Sequence, residues 1–534
     1  MIQHRGRKGS VPGRVAFVAA LAIGVVAFLL ERSGRVAASG SAFTAEDVRR
    51  VLTQAAAEAQ AAGLRATIAV TDAEANVLGV FRMDGAPPTS HVPGVRGHGL
   101  EGLELPSDAV ATTKAATGAL LSSGGNAFST RTASFIVQAH FPPGINSTPG
   151  GPLFGVQFSS LPCSDFKTPG APLGLSADAG GQPLYKEGLL VGGVGVEGDS
   201  LYGFDPDPAD FDAPAEERAA LGGARGFDAP TLIRADNILA DGIRIPFANA
   251  VAQGVVNVAP VPGVDLVAPR AALPSAFVPS DLVSGVAGRT DPRFPVRDGA
   301  VLSAADVATI VSQAARQTTV TRAAIRQPLG SNARVSISVV DLDGQILGFF
   351  QNADAPNFGI DVSAQKARTA NFFSSAGAGA ALGAAGLSIY VRDVPLDGSV
   401  AYTSRAVGFL AQPYYPPGIE GTDPGPFSVP VAEWSPFNTG LQLDLLDLGA
   451  PGACGRNLPL LKNGITIFPG GIPLFKGGRL AGAIGISGDG VDQDDLIAAA
   501  GSAGFDAPTE KRSDALVVRG VRLPWVKFPR HPDL

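Results

Sequence analysis

Apolar residues along this chain keep two rhythms, and each rhythm occurs twice in the same order. At 43–52 the sequence reads FTAEDVRRVL and at 302–311 LSAADVATIV. Each sets S/T-x-x-D (Thr44 with Asp47, Ser303 with Asp306) ahead of an apolar run, the signature of a helix start in which side chain and backbone cap each other. Next come ATIAVTDAEANVLGVF (66–81) and VSISVVDLDGQILGFF (335–350), short β-rich runs on either side of a polar turn that holds Asp72 or Asp341. That pattern predicts a hairpin. Further on, GGQPLYKEGLLVGGVGVEGD (180–199) lies on GGIPLFKGGRLAGAIGISGD (470–489) without a gap. Here a glycine turn leads into a strand pair, and the second strand is buried and rich in small residues, so that a neighbouring helix or a flat ligand can approach its backbone.

Other segments recur in the same order: KAATGALLSS (114–123) with KARTANFFSS (366–375), HFPPGINSTPGGP (140–152) with YYPPGIEGTDPGP (414–426), and FDAPTLIRAD (227–236) with FDAPTEKRSD (505–514). The chain therefore reads as a duplicated domain, copy 1 over 43–247 and copy 2 over 301–529. Residues 248–300 read as a Pro-rich linker, with seven prolines after position 250 and no sustained apolar period. Gly193, Gly195 and Gly198 spell G-x-G-x-x-G, but no helix opens after them. The following FDPDPADFDAP is broken by prolines, which excludes a dinucleotide loop.

The N-terminus changes the picture of where this body resides. A basic stretch precedes sixteen apolar residues, VAFVAALAIGVVAFLL (15–30), and then VAAS, which reads as a signal peptide over 1–38 cut after Ala38. The competing reading is an uncleaved anchor, and both export the rest of the chain to the periplasm or the outside. Loss of 1–38 takes six of the 41 basic and one of the 48 acidic residues, leaving a net charge of about −12. With no basic aromatic stripe and no basic amphipathic helix, that balance argues against nucleic acid and against a membrane surface as partners of the mature body.

Candidate chemistry is sparse. H-E-x-x-H, C-x-x-C, G-x-S-x-G and C-x-x-C-H are all missing, which withdraws support from zinc hydrolase, dithiol, serine hydrolase and covalent c-type haem readings. Polar residues retained in both copies are the better candidates. Lys114 and Lys366, each with a threonine three residues on, read either as cations facing a ligand carboxylate or as snorkelling surface lysines. Asp72 and Asp341 read as turn caps. Asp84 and Asp354, after the second strand, read either as further turn caps or as lining one mouth, with Gly181, Pro183, Gly471 and Pro473 at the turn beside it. The only cysteines, Cys163 and Cys454, fall at nearly equivalent places, so a disulfide and two separate thiols stand as alternatives.

The strand-turn-strand AVTDAEANVLGVFRMDGA (69–86), the helix KAATG (114–118) and FPGGIPLFKGGRLAGAIGISGDGVDQDDLIAAAG (468–501) resemble the GlcG/HbpS-like haem-binding, haem-degrading domains. The resemblance implies an α+β fold of two tandem profilin-like domains, each an antiparallel sheet flanked by helices. It also implies a small-molecule ligand with haem as the cofactor, slow haem degradation, and a tendency to oligomerise. His140 and Tyr414, matching positions before Pro-Pro-Gly, are then the candidate iron ligands, and Lys114 or Lys366 the partner of a propionate. Copy 1 departs from the family at the DQDD of 492–495, where it has a loop running to Glu216 and Glu217. Both copies carry long insertions (roughly 124–179 and 376–467). The expected function is an exported tandem binding protein whose copies form an intramolecular pseudo-dimer. The alternatives are an exported interaction module with a vestigial pocket and an enzyme acting on a small hydroxyacid.

Overall fold

The computed structural model describes residues 42–94, 100–154, 165–166, 173–205, 207–240, 242–255, 260–434, 440–445, 458–461 and 463–527. Copy 1 opens with helix α1 (Ala45–Ala61), capped reciprocally by Thr44 and Asp47. It continues with β1 (Thr67–Asp72), β2 (Val77–Met83), α2 (Ser107–Leu120), α3 (Thr130–Ile136), β3 (Gly181–Lys186), β4 (Leu189–Glu197) and α4 (Ala215–Ala224). Asp72 makes the hairpin turn between β1 and β2, its carboxylate accepting from the backbone N–H of Glu74 and of Asn76 at 2.9 Å each.

The 248–300 segment does more than link. It supplies β5 (Gly263–Val267), β6 (Val278–Pro279) and β7 (Gly288–Thr290). Copy 2 follows with α5 (Ala304–Thr318), capped by Ser303 and Asp306, then β8 (Val335–Val340), β9 (Ile346–Asn352), α6 (Phe358–Phe373), α7 (Ser404–Leu410), β10 (Gly471–Lys476), β11 (Arg479–Gly488) and α8 (Val491–Gly501).

The strand order is β3-β4-β1-β2-β5 in one sheet and β6-β7-β9-β8-β11-β10 in the other, antiparallel throughout. Four strands of each sheet match in order, and β5 and β7 cover the same outer edge in each. The segment expected as a linker that lies partly on a domain surface thus also supplies strands. Prolines bar a segment from a central strand but not from an edge, where one side needs no donors.

Each sheet is a layer between helices. In copy 1, Ile68, Val70, Val194 and Val196 face α1 and α4, with Val48, Val51, Ala55 and Ala219 completing that core. Ile337, Val339, Ile484 and Ile486 do the same against α5 and α8 in copy 2. On the opposite face the strands meet α2 or α6 through glycine. A Cβ on Gly193 would lie 2.1 Å from the carbonyl oxygen of Ala115, one on Gly195 2.0 Å from that of Ala111, and one on Gly485 1.9 Å from that of Ser363. The small-residue strand is therefore a seat for a helix backbone, which fills the space a flat ligand would need there. The polypeptide from Phe43 onward forms one compact unit, with one apolar core that draws Leu120, Phe128 and Ile136 from copy 1 and Phe358, Phe373 and Leu410 from copy 2. No helix among the described residues is long and apolar enough to cross a membrane.

Candidate functional site

The repeated lysine of α2 and α6 points inward in both copies and is fully buried. In copy 1, Lys114 Nζ lies 2.7 Å from Glu197 at the end of β4, 2.8 Å from Glu216 on α4 and 3.5 Å from Asp178. Ser90 Oγ donates to the other Glu197 oxygen at 2.5 Å. Burial alone would push the ammonium down, but the three carboxylates outweigh it and raise Lys114 well above the ordinary lysine range. Burial raises Glu216 and Glu197, and pushes Asp178 up to about 8.

In copy 2, Lys366 Nζ donates to Asp494 Oδ2 and to the carbonyl of Ile486, both at 2.8 Å, with the Phe468 ring centroid 5.2 Å away. Here burial dominates both partners, lowering Lys366 and pushing Asp494 up to about 7. Neither lysine snorkels: both are buried and ion-paired with carboxylates of the chain itself. The threonines one turn on, Thr117 and Thr369, accept from the backbone N–H of Ser176 and Thr466 and so tie the helix to the chain entering the strand pair.

The adjacent acidic residue of the repeat is matched as well. Glu217 takes Arg131 of α3 at 3.1 Å, and Asp495 takes Arg405 of α7 at 2.5 Å. The Glu216-Glu217 pair thus stands where Asp494-Asp495 stands in copy 2, although its loop differs. Both arginines come from the insertions, and nothing in the sequence pattern marks them as buried. Glu197, Asp199 and Glu216 lie close enough to share a cation, as do Asp205, Asp210 and Asp212. Lys114 occupies the first cluster and Arg131 reaches the second through Asp205 and Asp212 at 2.8 Å each, so the chain's own cations fill both.

Asp84 and Asp354 share no mouth. The Asp84 backbone N–H donates to Pro262 on the exposed edge of copy 1. Asp354, at φ 62°, pairs with Arg326 at 2.6 Å and accepts from the Gly124 N–H of copy 1 at 2.7 Å, which makes it a contact between copies. Gly181, Pro183, Gly471 and Pro473 are strand residues of β3 and β10. A Cβ on Gly181 or Gly471 would lie 2.4 Å from the carbonyl of Lys114 or Lys366. His140 and Tyr414 stack on one another, ring centroids 5.9 Å apart and planes 14° from parallel, and His140 Nδ1 is 2.8 Å from the Thr148 carbonyl. Matching positions that touch in this way lie near a local twofold axis. Cys163 and Cys454 lie outside the described residues.

One cavity lies where the copies meet. Leu121, Phe128 and Ile136 of copy 1 face Ile325, Phe358 and Phe468 of copy 2 around about 50 Å³. Lys366, Asp494 and Ser487 are the polar part of its wall. Asp494 Oδ1 and Ser487 Oγ are buried there without a hydrogen-bond partner. A roomier cleft of about 260 Å³, between α1 and residues 260–269, is lined by surface positions such as Arg49, Thr53 and Asp265 and holds none of these buried groups. The junction cavity as it stands does not hold a haem. The junction cavity is far smaller than the roughly 300–1,000 Å³ that ligand pockets enclose, the candidate iron ligands lie outside its lining, and both candidate propionate cations are spent internally.

The family described as haem degrading protein HbpS-like matches residues 43–92 and 430–503, the opening part of copy 1 and the closing part of copy 2. The chain resembles that family in both halves. No curated protein matches the sequence. Among solved structures, the ORFY protein of Klebsiella pneumoniae, a DUF336 structure, is 20% identical over 39% of this chain and 94% of its own, with a TM-score of 0.23. A PduOC–haem complex is 20% identical over 39% of this chain and 99% of its own, TM-score 0.22. A double mutant of HbpS from Streptomyces reticuli is 23% identical over 36% of this chain and 95% of its own, TM-score 0.21.

Proposed function

From HbpS-like sequence in both halves of one chain, we propose that this protein is an exported binding protein for haem or a similar small ligand, received at the junction of the two copies. The observation that carries the reading is the junction cavity, with apolar walls from both copies and two buried polar atoms that lack partners. An apolar hollow with a few convergent polar groups and perturbed carboxylates is the form that ligand sites take. A porphyrin requires the copies to part there, whereas a smaller ligand does not. Export is supported by the basic, apolar and small-residue order of the N-terminus.

A second reading, an interaction module with a vestigial pocket, is favoured by the insertions, which are spent on contacts between copies such as the His140–Tyr414 stack. Titration of the purified chain with hemin separates the two. A saturable Soret shift at micromolar protein, weakened when Phe128→Trp fills the cavity, supports binding at the junction. A wild type without any saturable shift removes haem and favours the interaction module.

A further inference from the structure

The two copies differ at the lysine in a way that decides which of them has room. Around Lys114 of copy 1 stand Asp178 and Glu197 in addition to Glu216. In the gapless alignment of the two segments Glu197 falls on Ser487, and Asp178, two residues before the Gly-Gly pair, falls on Phe468. Copy 2 therefore lacks two carboxylates, and its lysine is ion-paired with Asp494 and donates besides to the Ile486 carbonyl. The space beside that pair is the junction cavity. Gly470, at φ 109°, packs against the same pair, where a Cβ would lie 2.5 Å from the Ile486 carbonyl oxygen and 2.7 Å from Asp494 Cβ. In copy 1 the corresponding carboxylate, Glu216, is occupied on both oxygens, by Lys114 on one and by the backbone N–H groups of Gly198 and Asp199 on the other.

We propose that copy 2 alone carries a ligand site, in which Asp494 and Ser487 bind a small neutral hydroxyl compound. The proposal rests on the junction cavity being the ligand site. Asp494 Oδ2 is committed to Lys366, so Oδ1 is an acceptor without a donor, and Ser487 Oγ has no partner either. Unmet buried groups of this kind are costly, and a ligand that meets them gains accordingly. A hydroxyl has the matching chemistry, a donor for the carboxylate oxygen and an acceptor for the serine, and an apolar body suits the Phe358, Phe468 and Ile325 walls. A carboxylate ligand finds no unmatched cation, because the Lys366 charge already faces Asp494, and it would bring a second acceptor against Oδ1. At about 50 Å³ the cavity admits a ligand of only a few heavy atoms.

Ethanol and acetate, equal in carbon skeleton and opposite in head group, test this on the full chain by saturation-transfer NMR. Ethanol is expected to show saturable transfer, with a Kd no tighter than ~1 mM for so small a ligand, and acetate none. Ser487→Ala is expected to weaken ethanol by about threefold or more, and Ser487→Glu, which restores the copy-1 residue, to abolish it. Glu197→Ser in copy 1 leaves it unchanged. Equal transfer to acetate, no saturable transfer to ethanol, or a Ser487→Ala protein that binds as well as wild type each overturns the proposal. Hemin titration of the same samples separates the two ideas: a Soret shift without ethanol transfer leaves the haem reading standing and removes this one, and the reverse result does the opposite.

Discussion

Lys114 and Lys366 hold one position of the repeat and face different numbers of carboxylates, so their removal has different costs. Lys114→Met leaves Asp178, Glu197 and Glu216 packed together with no cation, and breaking a buried pair in this way costs about 3–5 kcal/mol. Asp178 is pushed up to about 8 from 3.8 by burial, and Asp494 to about 7. Between those limits the folded protein holds protons that the unfolded chain releases. Stability therefore falls as pH rises from 3.8 toward about 8. Urea unfolding at pH 5 and pH 8 is expected to show wild type more stable at pH 5, and a smaller penalty for Lys114→Met there, because protonation relieves the like charges. A penalty independent of pH would contradict the shared-proton cluster. The recurrence of these lysines was legible, as was the turn role of Asp72 from its place in the hairpin. Their burial was not, because the partners lie 64 to 128 residues away in sequence, beyond the reach of any local spacing.

At the scale of elements, helix starts and strand pairs were the most readable features, since their signals are local. The S/T-x-x-D signatures form reciprocal caps at both α1 and α5, and the same aspartates also take Lys186 and Lys476 from the strand pair at 2.6 Å each. The glycines of β4 and β11 were readable as close-approach positions, and the structure decides what approaches: the backbone of α2 or α6. Gly485→Ala would force a Cβ to within 1.9 Å of the Ser363 carbonyl, and the displacement of α6 is expected to cost about 1–3 kcal/mol or more. Gly383→Ala, inside the short helix Ala378–Ala384 with only a 3.7 Å neighbour, is expected to stabilise by about 0.5–1 kcal/mol. Thermal melts of the two variants check both signs. The strands of 248–300 were not readable, because β5 and β6 are edges, which need neither alternation nor freedom from proline, and β7 is only three residues long.

For the whole molecule, the shared core joins copies that each bring their own sheet. Arg326 alone binds Asp489 and Asp354 in copy 2 and Ser123 in copy 1, and Asn357 donates to the Ala73 carbonyl across the same junction. Calorimetry is accordingly expected to show one cooperative unfolding transition, and the isolated 43–247 segment to fall short of a stable fold. Two separated transitions would mean that the copies are autonomous. The stacked His140 and Tyr414 bear on how such a chain can change over generations. In an assembly of two identical chains, whatever stands at the axis meets itself, and every mutation there arrives twice and opposite its own image. With both halves encoded in one reading frame, the two sides of the axis mutate one at a time. An imidazole can face a phenol, and a serine can stand in one half where the other keeps a glutamate.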